Sequence, residues 1–379
     1  MKTALVYGSV LKPHGGSAYI LPMHRLIVLA AAALITLGGC SNTPEEPETR
    51  TQILLGTTVT IRIYEGATQA AFDRAFDRVR EIEERMSTNT VDYSSTELIE
   101  VNRAAGDHPV EVSADTFYVV ERGLEYSRMT DGAFDVSIGP MVDLWGIGTE
   151  YAEVPSEEEI DRHLELVDYS KVELDPEART IYLPEEGMGL DVGAIAKGYA
   201  ADEVARILGE EGIEHALLDF GGNILAIGLK PDGSQWKIGI QNPLERRGAF
   251  LGVVEDNEMT VVTSGDYERF FEKDDLRYHH IIDSRTGYPA RTGLSSVTIV
   301  AEDSTEADAL STAVYVMGIE RGAELIERLD GVEAAFVTKD RSVYMTSGMP
   351  DRFDVTNERF EVVSLEAAVE DAAEAAPSS

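Results

Sequence analysis

The stretch LDVGAIAKGYAADEVARILGEEGIEHALLDFGGNILAIG, residues 190–228, decides how this chain folds. A helical run reaches to about Gly209, and 216–219 and 224–228 then read as two short strands joined by a turn. Five more strand-like runs follow, at 236–241, 250–254, 259–263, 278–282 and 295–301, most of them joined by short turns. Successive strands with short connections argue mostly antiparallel sheet with helices packed on it, an α+β fold and not a doubly wound nucleotide fold. Neither Gly-x-Gly-x-x-Gly at a strand-to-helix turn nor a Walker-type phosphate loop occurs here. At the start of the stretch Asp191 is placed to cap a helix, while Gly193 and Gly198 admit close backbone approach. Lys197 is the one cation between Lys171 and Arg206 apart from Arg179. It reads either as a lone charge awaiting an anion or as the solvent face of an amphipathic helix.

Upstream, 58–64 alternates Val59, Ile61 and Ile63 with Thr58, Thr60 and Arg62, the pattern of a half-buried strand. Phe72, Phe76, Val79, Ile82 and Met86 recur at helical spacing. Ser113 is placed to cap a second helix bearing Phe117, Val120 and Leu124. The Gly- and Pro-containing 133–146 is a tight corner whose Phe134 and Trp145 belong either to the core or to a ring-binding wall. Residues 155–167 form an acidic surface helix, and 171–183 a hairpin around Pro176. Downstream, 305–317 and 319–329 are helices, and strands lie around Phe336, Tyr344 and Phe360.

A net charge of −37 argues against nucleic acid and against an anionic membrane surface as partners. The single cysteine, Cys40, excludes disulfides, iron–sulfur clusters and thiolate zinc sites within one chain. It follows Met23-His24-Arg25, an apolar run at 26–37 and Gly38-Gly39, the pattern of a lipoprotein signal peptide cleaved before an acylated cysteine. The expected organisation is a signal peptide at 1–39, with Met23 a candidate start, a lipidated Cys40 and tether to 50, one domain over 51–364, and an acidic disordered tail at 365–379.

Asp308 and Thr312 stand four residues apart on a helix and project from one face. A carboxylate and a hydroxyl are hard-oxygen donors suited to Mg²⁺. Thr305 and Asp308 also fit a capping box, so Asp308 reads equally as a structural cap. His279 and His280 lie on a strand, where neighbours face opposite ways, and only one of them can face a given site. Thr263-Ser264-Gly265 has no feature that marks more than a turn. No Gly-x-Ser-x-Gly elbow and no His-Glu-x-x-His occur.

Gly56-Thr57, Met86-Ser87-Thr88, residues 132–140, 191–202, Gly221-Gly222-Asn223, Thr263-Ser264-Gly265, 280–287 and Ala307-Asp308-Ala309-x-x-Thr312 follow one another in an order that resembles the ApbE family, the FAD:protein FMN transferases. The resemblance runs from about Gly56 to Gly318. It implies a T-fold-like architecture and FAD contacts at Leu55, Ala133, Phe134, Asp135, Asp191, Lys197 and Ile282. It also implies Mg²⁺ on the Ala194 carbonyl, Asp308 and Thr312, with His280 as the proton acceptor. A carbonyl free to bind metal places the helix start after Ala194. Leu55 stands where the family often has Met. Asn89 stands where some members have Tyr, and no contact is carried to it.

The implied activity moves the FMN moiety of FAD to a threonine hydroxyl of an acceptor protein and releases AMP. The implied acceptors are flavoprotein subunits of membrane redox complexes, met on the extracytoplasmic (periplasmic) side by an enzyme lipid-anchored to the inner membrane. Two other readings compete. One is an FAD pyrophosphatase giving FMN and AMP; the other is a flavin-binding lipoprotein without chemistry.

Overall fold

The computed structural model describes residues 46–90 and 92–365, all within one unit that starts at Pro44. The signal peptide, the Cys40 lipidation site, most of the tether and the tail after Leu365 lie outside the described residues.

The chain enters as a hairpin, β1 (Glu48–Leu54) and β2 (Thr57–Ile63), paired from Glu48↔Ile63 to Leu54↔Thr57. The boundary expected at residue 50 therefore falls inside β1. Its exposed, polar first half carries no alternation that sets it apart from a tether. The two turn residues, Leu55 (φ 52) and Gly56 (φ 64), have the left-handed backbone that a two-residue hairpin needs. Leucine adopts it at a cost of about 1–2 kcal/mol.

Next come α1 (Gln69–Met86), capped by the Thr68 hydroxyl, and α2 (Glu97–Arg103), capped by Thr96. After β3 (Val110–Glu111), α3 (Ala114–Met129) begins at Ser113 as its sequence predicts. The Gly/Pro corner contains a short helix that sequence reading passes over, α4 (Gly139–Trp145), with Pro140 in its first turn and Gly146 ending it. Trp145 is fully buried and donates its indole N–H to the Gly287 carbonyl, so it is core. Helix α5 (Glu157–Leu164) has a complete capping box between Ser156 and Glu159, and β4 (Glu173–Asp175) and β5 (Thr180–Tyr182) form the expected hairpin.

The quoted stretch supplies α6 (Ala196–Glu210), β6 (Ala216–Phe220) and β7 (Asn223–Ile227). The remaining strands are β8 (Trp236–Gln241), β9 (Phe250–Asp256), β10 (Met259–Gly265), β11 (Phe270–Lys273), β12 (Leu276–His279) and β13 (Leu294–Ala301). The strand expected over 278–282 thus ends at His279 and pairs backwards with β11. Helix α7 (Ser304–Ile326) breaks at Gly318, which separates the two helices the sequence predicts. The chain closes with β14 (Glu333–Thr338), β15 (Ser342–Met345), β16 (Phe353–Asp354) and β17 (Glu361–Val363).

Among the described residues the largest sheet has nine strands in the order β1-β2-β6-β7-β10-β13-β14-β15-β17, antiparallel except for β15 with β17. This is the α+β architecture expected. Val297 and Ile299 of β13 and Phe336 of β14 face the helices; Val300 and Val337 face the small sheet of β8, β9 and β16. With both faces covered, every residue of β13 is buried. Truncating Phe336 to alanine would cost about 3–5 kcal/mol.

Helix α6 packs between α1 and α7. Arg78 of α1 ties this layer together, reaching both oxygens of Asp115 on α3 at 2.7 Å and Glu203 on α6 at 2.9 Å. At Gly198 the backbones of α6 and α7 touch: a Cβ there would lie 2.1 Å from the Ser304 carbonyl oxygen. Among the described residues no helix is long and apolar enough to cross a bilayer.

Candidate active site

The loop before α6 does not form the cap its sequence predicts. Asp191 Oδ1 accepts the Gly193 N–H at 2.8 Å, a local turn, and Oδ2 accepts the Thr88 hydroxyl at 3.2 Å. Ile195 occupies the N-cap position with no side-chain hydrogen bond. The helix begins at Ala196, so Ala194 lies outside it. The Gly198 N–H, which an ordinary helical ladder would aim at the Ala194 carbonyl, donates to Asp308 Oδ2 at 3.0 Å instead.

Asp308 is therefore not a cap. Asp303 caps α7 through the Glu306 N–H, and Asp202 of α6 accepts from Ser304 N–H, Thr305 N–H and the Thr305 hydroxyl. Freed from capping, the buried Asp308 carboxylate receives Lys197 Nζ at 2.8 and 3.1 Å. Lys197 is thus neither a lone cation nor a solvent charge; its partner is 111 residues away. One turn on from Asp308, the Thr312 hydroxyl lies 3.5 Å from Ser264 Oγ, which also bonds Ser311 at 2.8 Å.

The donor set fits a hard cation. Ala194 offers a carbonyl without a hydrogen-bond partner among the described residues, Asp308 a carboxylate and Thr312 a hydroxyl, and a cationic ammonium already lies against that carboxylate. Among the described residues no cluster of three or more His, Cys, Asp or Glu is placed to hold a metal. One carboxylate with neutral oxygens matches Mg²⁺, which completes its shell from water and substrate phosphates.

These groups open onto a cleft of about 590 Å³, a ligand-sized volume. Leu55 reaches it from the β1–β2 turn, Ala133, Phe134 and Asp135 from the corner after α3, and Ile282 from the segment after β12. Asp191, Ala194, Lys197, His280, Asp308 and Thr312 line it as well, so the residues singled out from the sequence, Cys40 aside, share one cavity. Burial pushes the Asp135 carboxyl up to about 6, although its Oδ1 accepts from the Ser137 N–H and hydroxyl.

The two histidines part as strand geometry requires. His279 is buried, with Nε2 2.9 Å from the Ala290 carbonyl and its ring edge-on to Tyr315. His280 lines the cleft; its backbone N–H donates to the Arg269 carbonyl at 3.1 Å and its Nδ1 lies 3.3 Å from the same oxygen. A carbonyl only accepts, so Nδ1 carries the proton of the neutral ring and Nε2 keeps its lone pair. Desolvation, then the charge of Arg269, hold His280 below the usual imidazole range, which keeps it unprotonated near neutral pH. Asp283, the other nearby acid, is engaged by Arg285 at 2.9 and 3.0 Å.

Sequence reading missed the loop-borne charges of the cleft: Arg247, Glu268 and Arg269, together with Glu83 and Tyr93. Glu83 sits on the polar face of α1 and the others outside any periodic pattern, and only the fold brings them to the cleft.

Residues 55–336 match the model of the ApbE family. A Klebsiella pneumoniae (strain 342) protein named FAD:protein FMN transferase is 35% identical over 315 residues, 83% of this chain and 96% of its own length. A protein of the same name from Treponema pallidum (strain Nichols) is 36% identical over 345 residues, 86% of this chain and 94% of its own. The crystal structure of the ApbE protein of Thermotoga maritima superposes with a TM-score of 0.75 at 31% identity, covering 81% of this chain and 99% of that one. The matched region begins at Leu55 and runs past Thr312, so it takes in every cleft residue named from the sequence, and the chain belongs to the ApbE family.

Proposed function

We propose that this chain transfers the FMN moiety of FAD to a threonine hydroxyl of an acceptor protein and releases AMP. The names of its relatives support the flavin transfer. The observation that carries the rest is the meeting, in one cleft, of the oxygens of Ala194, Asp308 and Thr312 with His280, whose Nδ1 faces the Arg269 carbonyl and leaves Nε2 free. Bound there, Mg²⁺ would neutralise the pyrophosphate and the charge that develops as its bridge breaks.

The threonine oxygen forms a bond to the FMN-side phosphorus while the bond from that phosphorus to the bridging oxygen breaks, and AMP departs with the electron pair. His280 takes the threonine proton on Nε2, a contribution of about 10²- to 10⁴-fold. Lys197 adds positive charge beside the Asp308 carboxylate, and Phe134 and Leu55 give apolar surface for the flavin.

The signal-peptide pattern ending at Cys40 supports an enzyme lipid-anchored on the extracytoplasmic face of the inner membrane, with flavoprotein subunits of membrane redox complexes as acceptors. Incubation with FAD, Mg²⁺ and a candidate acceptor tests the proposal. Mass spectrometry should find FMN added to a threonine, with AMP released in equal amount. FMN and AMP in solution with an unmodified acceptor would instead establish a pyrophosphatase, and intact FAD a binding protein.

A further inference from the structure

Three cations line the cleft, and two are spoken for: Lys197 sits on Asp308 and Arg247 on Glu268 at 2.9 Å. Arg269 has no carboxylate partner among the described residues, although the chain carries a charge of −37 and the other two cleft cations are paired. Its backbone is fixed, because its carbonyl receives the His280 N–H. Its side chain, exposed at the cleft mouth, passes Gly148 and Gly56: Cδ lies 3.6 Å from where a Cβ on Gly148 would stand, and Nη2 3.6 Å from where one on Gly56 would stand. The guanidinium is therefore extended between the loop after α4 and the β1–β2 turn, with its donors unused.

We propose that Arg269 binds the phosphate of the flavin nucleotide, and so is a substrate-phosphate ligand beside the metal site. The inference rests on the cleft's taking a flavin nucleotide, as read above. Arginine suits the task because its planar fork meets two phosphate oxygens at once. Lys197 is already engaged by Asp308, which leaves Arg269 as the uncommitted positive charge that draws a phosphate into an acidic protein. The same residue then sets the phosphate against His280, since its own carbonyl holds that ring.

The test compares riboflavin, FMN and FAD by flavin fluorescence quenching without added metal, on wild-type, Arg269→Gln and Arg269→Lys proteins. Arg269→Gln should weaken FMN and FAD about tenfold and riboflavin less than twofold, the loss expected for one charged hydrogen-bonding group. Arg269→Lys should recover part of the loss. Arg246→Gln, which removes the same charge from a neighbouring exposed position, should change nothing. Equal losses for all three flavins, or no loss for any, would overturn the proposal. Transfer is scored separately on the same samples: wild-type protein that binds FMN through Arg269 yet flavinylates no acceptor keeps this inference and refutes the transferase reading. Wild-type protein that binds no flavin nucleotide refutes both.

Discussion

Replacing Asp308 separates the functional role of the carboxylate from its structural one. In Asp308→Ala the Lys197 ammonium loses a contact at 2.8 Å and the Gly198 N–H loses its acceptor at 3.0 Å. Removing one partner of a buried pair costs about 3–5 kcal/mol. The Lys197 side chain keeps 24% exposure and can turn to water, which places the ion-pair loss near the lower end. The orphaned N–H adds about 1–3 kcal/mol, so a total of about 4 kcal/mol is expected in urea unfolding. Asp308→Asn keeps an acceptor for Gly198 and removes only the charge, for about 1–2 kcal/mol. If the carboxylate holds Mg²⁺, Asp308→Asn should lose at least about a hundredfold in FMN transfer, and Mg²⁺ should raise its melting temperature less than that of the wild type. A Lys197→Met, Asp308→Leu double variant should regain the ion-pair part of the lost stability, though not the part due to the Gly198 N–H, and should not regain transfer. Asp308→Asn that keeps more than a tenth of the activity at saturating Mg²⁺, or that gains as much from Mg²⁺ as the wild type, would refute the metal role.

His280→Ala should cut turnover by about 10²- to 10⁴-fold with FAD binding nearly unchanged; a binding defect with intact turnover at saturating FAD would make His280 a positioning group. His279→Ala should leave turnover alone and lower stability by about 1–3 kcal/mol, since it removes a buried ring bonded to Ala290, and normal stability would contradict the packing described. Burial holds the Asp202 carboxyl at about 6, above its ordinary 3.8. The folded state therefore keeps a proton that the unfolded chain loses, and wild-type stability should fall by up to about 3 kcal/mol relative to Asp202→Asn between pH 4 and 6; parallel stability curves would count against this. Cys40→Ala should release the protein from membranes with activity intact, and unchanged retention in detergent-free fractions would remove the case for lipidation.

What the sequence shows of this fold follows the range of the forces involved. The 3.6-residue spacing of Phe72 to Met86 and the Ser156–Glu159 capping box are local patterns, and they appear as helices where they should. Strand β1 and helix α4 escape because one is an exposed edge with polar residues and the other opens with Gly-Pro, a turn signal as much as a helix start. At the site, alternation along β12 separates His279 from His280 even though the strand stops at His279. The pairing of Lys197 with Asp308 has no local signature: the anion that meets Lys197 lies 111 residues away, and the helix end that Asp308 meets is that of α6, not of its own helix. Arg269 is invisible for the same reason.

The contact at Gly198 bears on how such a cleft can diverge over time. The side built from α6 and α7 is set by backbone against backbone, and any larger residue at 198 would drive Lys197 and Asp308 apart. The other side consists of the 242–249 loop, the β11–β12 hairpin outside the main sheet, and exposed charges such as Arg247 and Glu268. Provided Arg269 and His280, which flank that hairpin, are kept, that side can change its surface without moving the first. A lineage can then exchange one acceptor for another while inheriting its phosphate chemistry unaltered, and an engineer choosing where to diversify the chain should leave the two helices as they are and vary the loops.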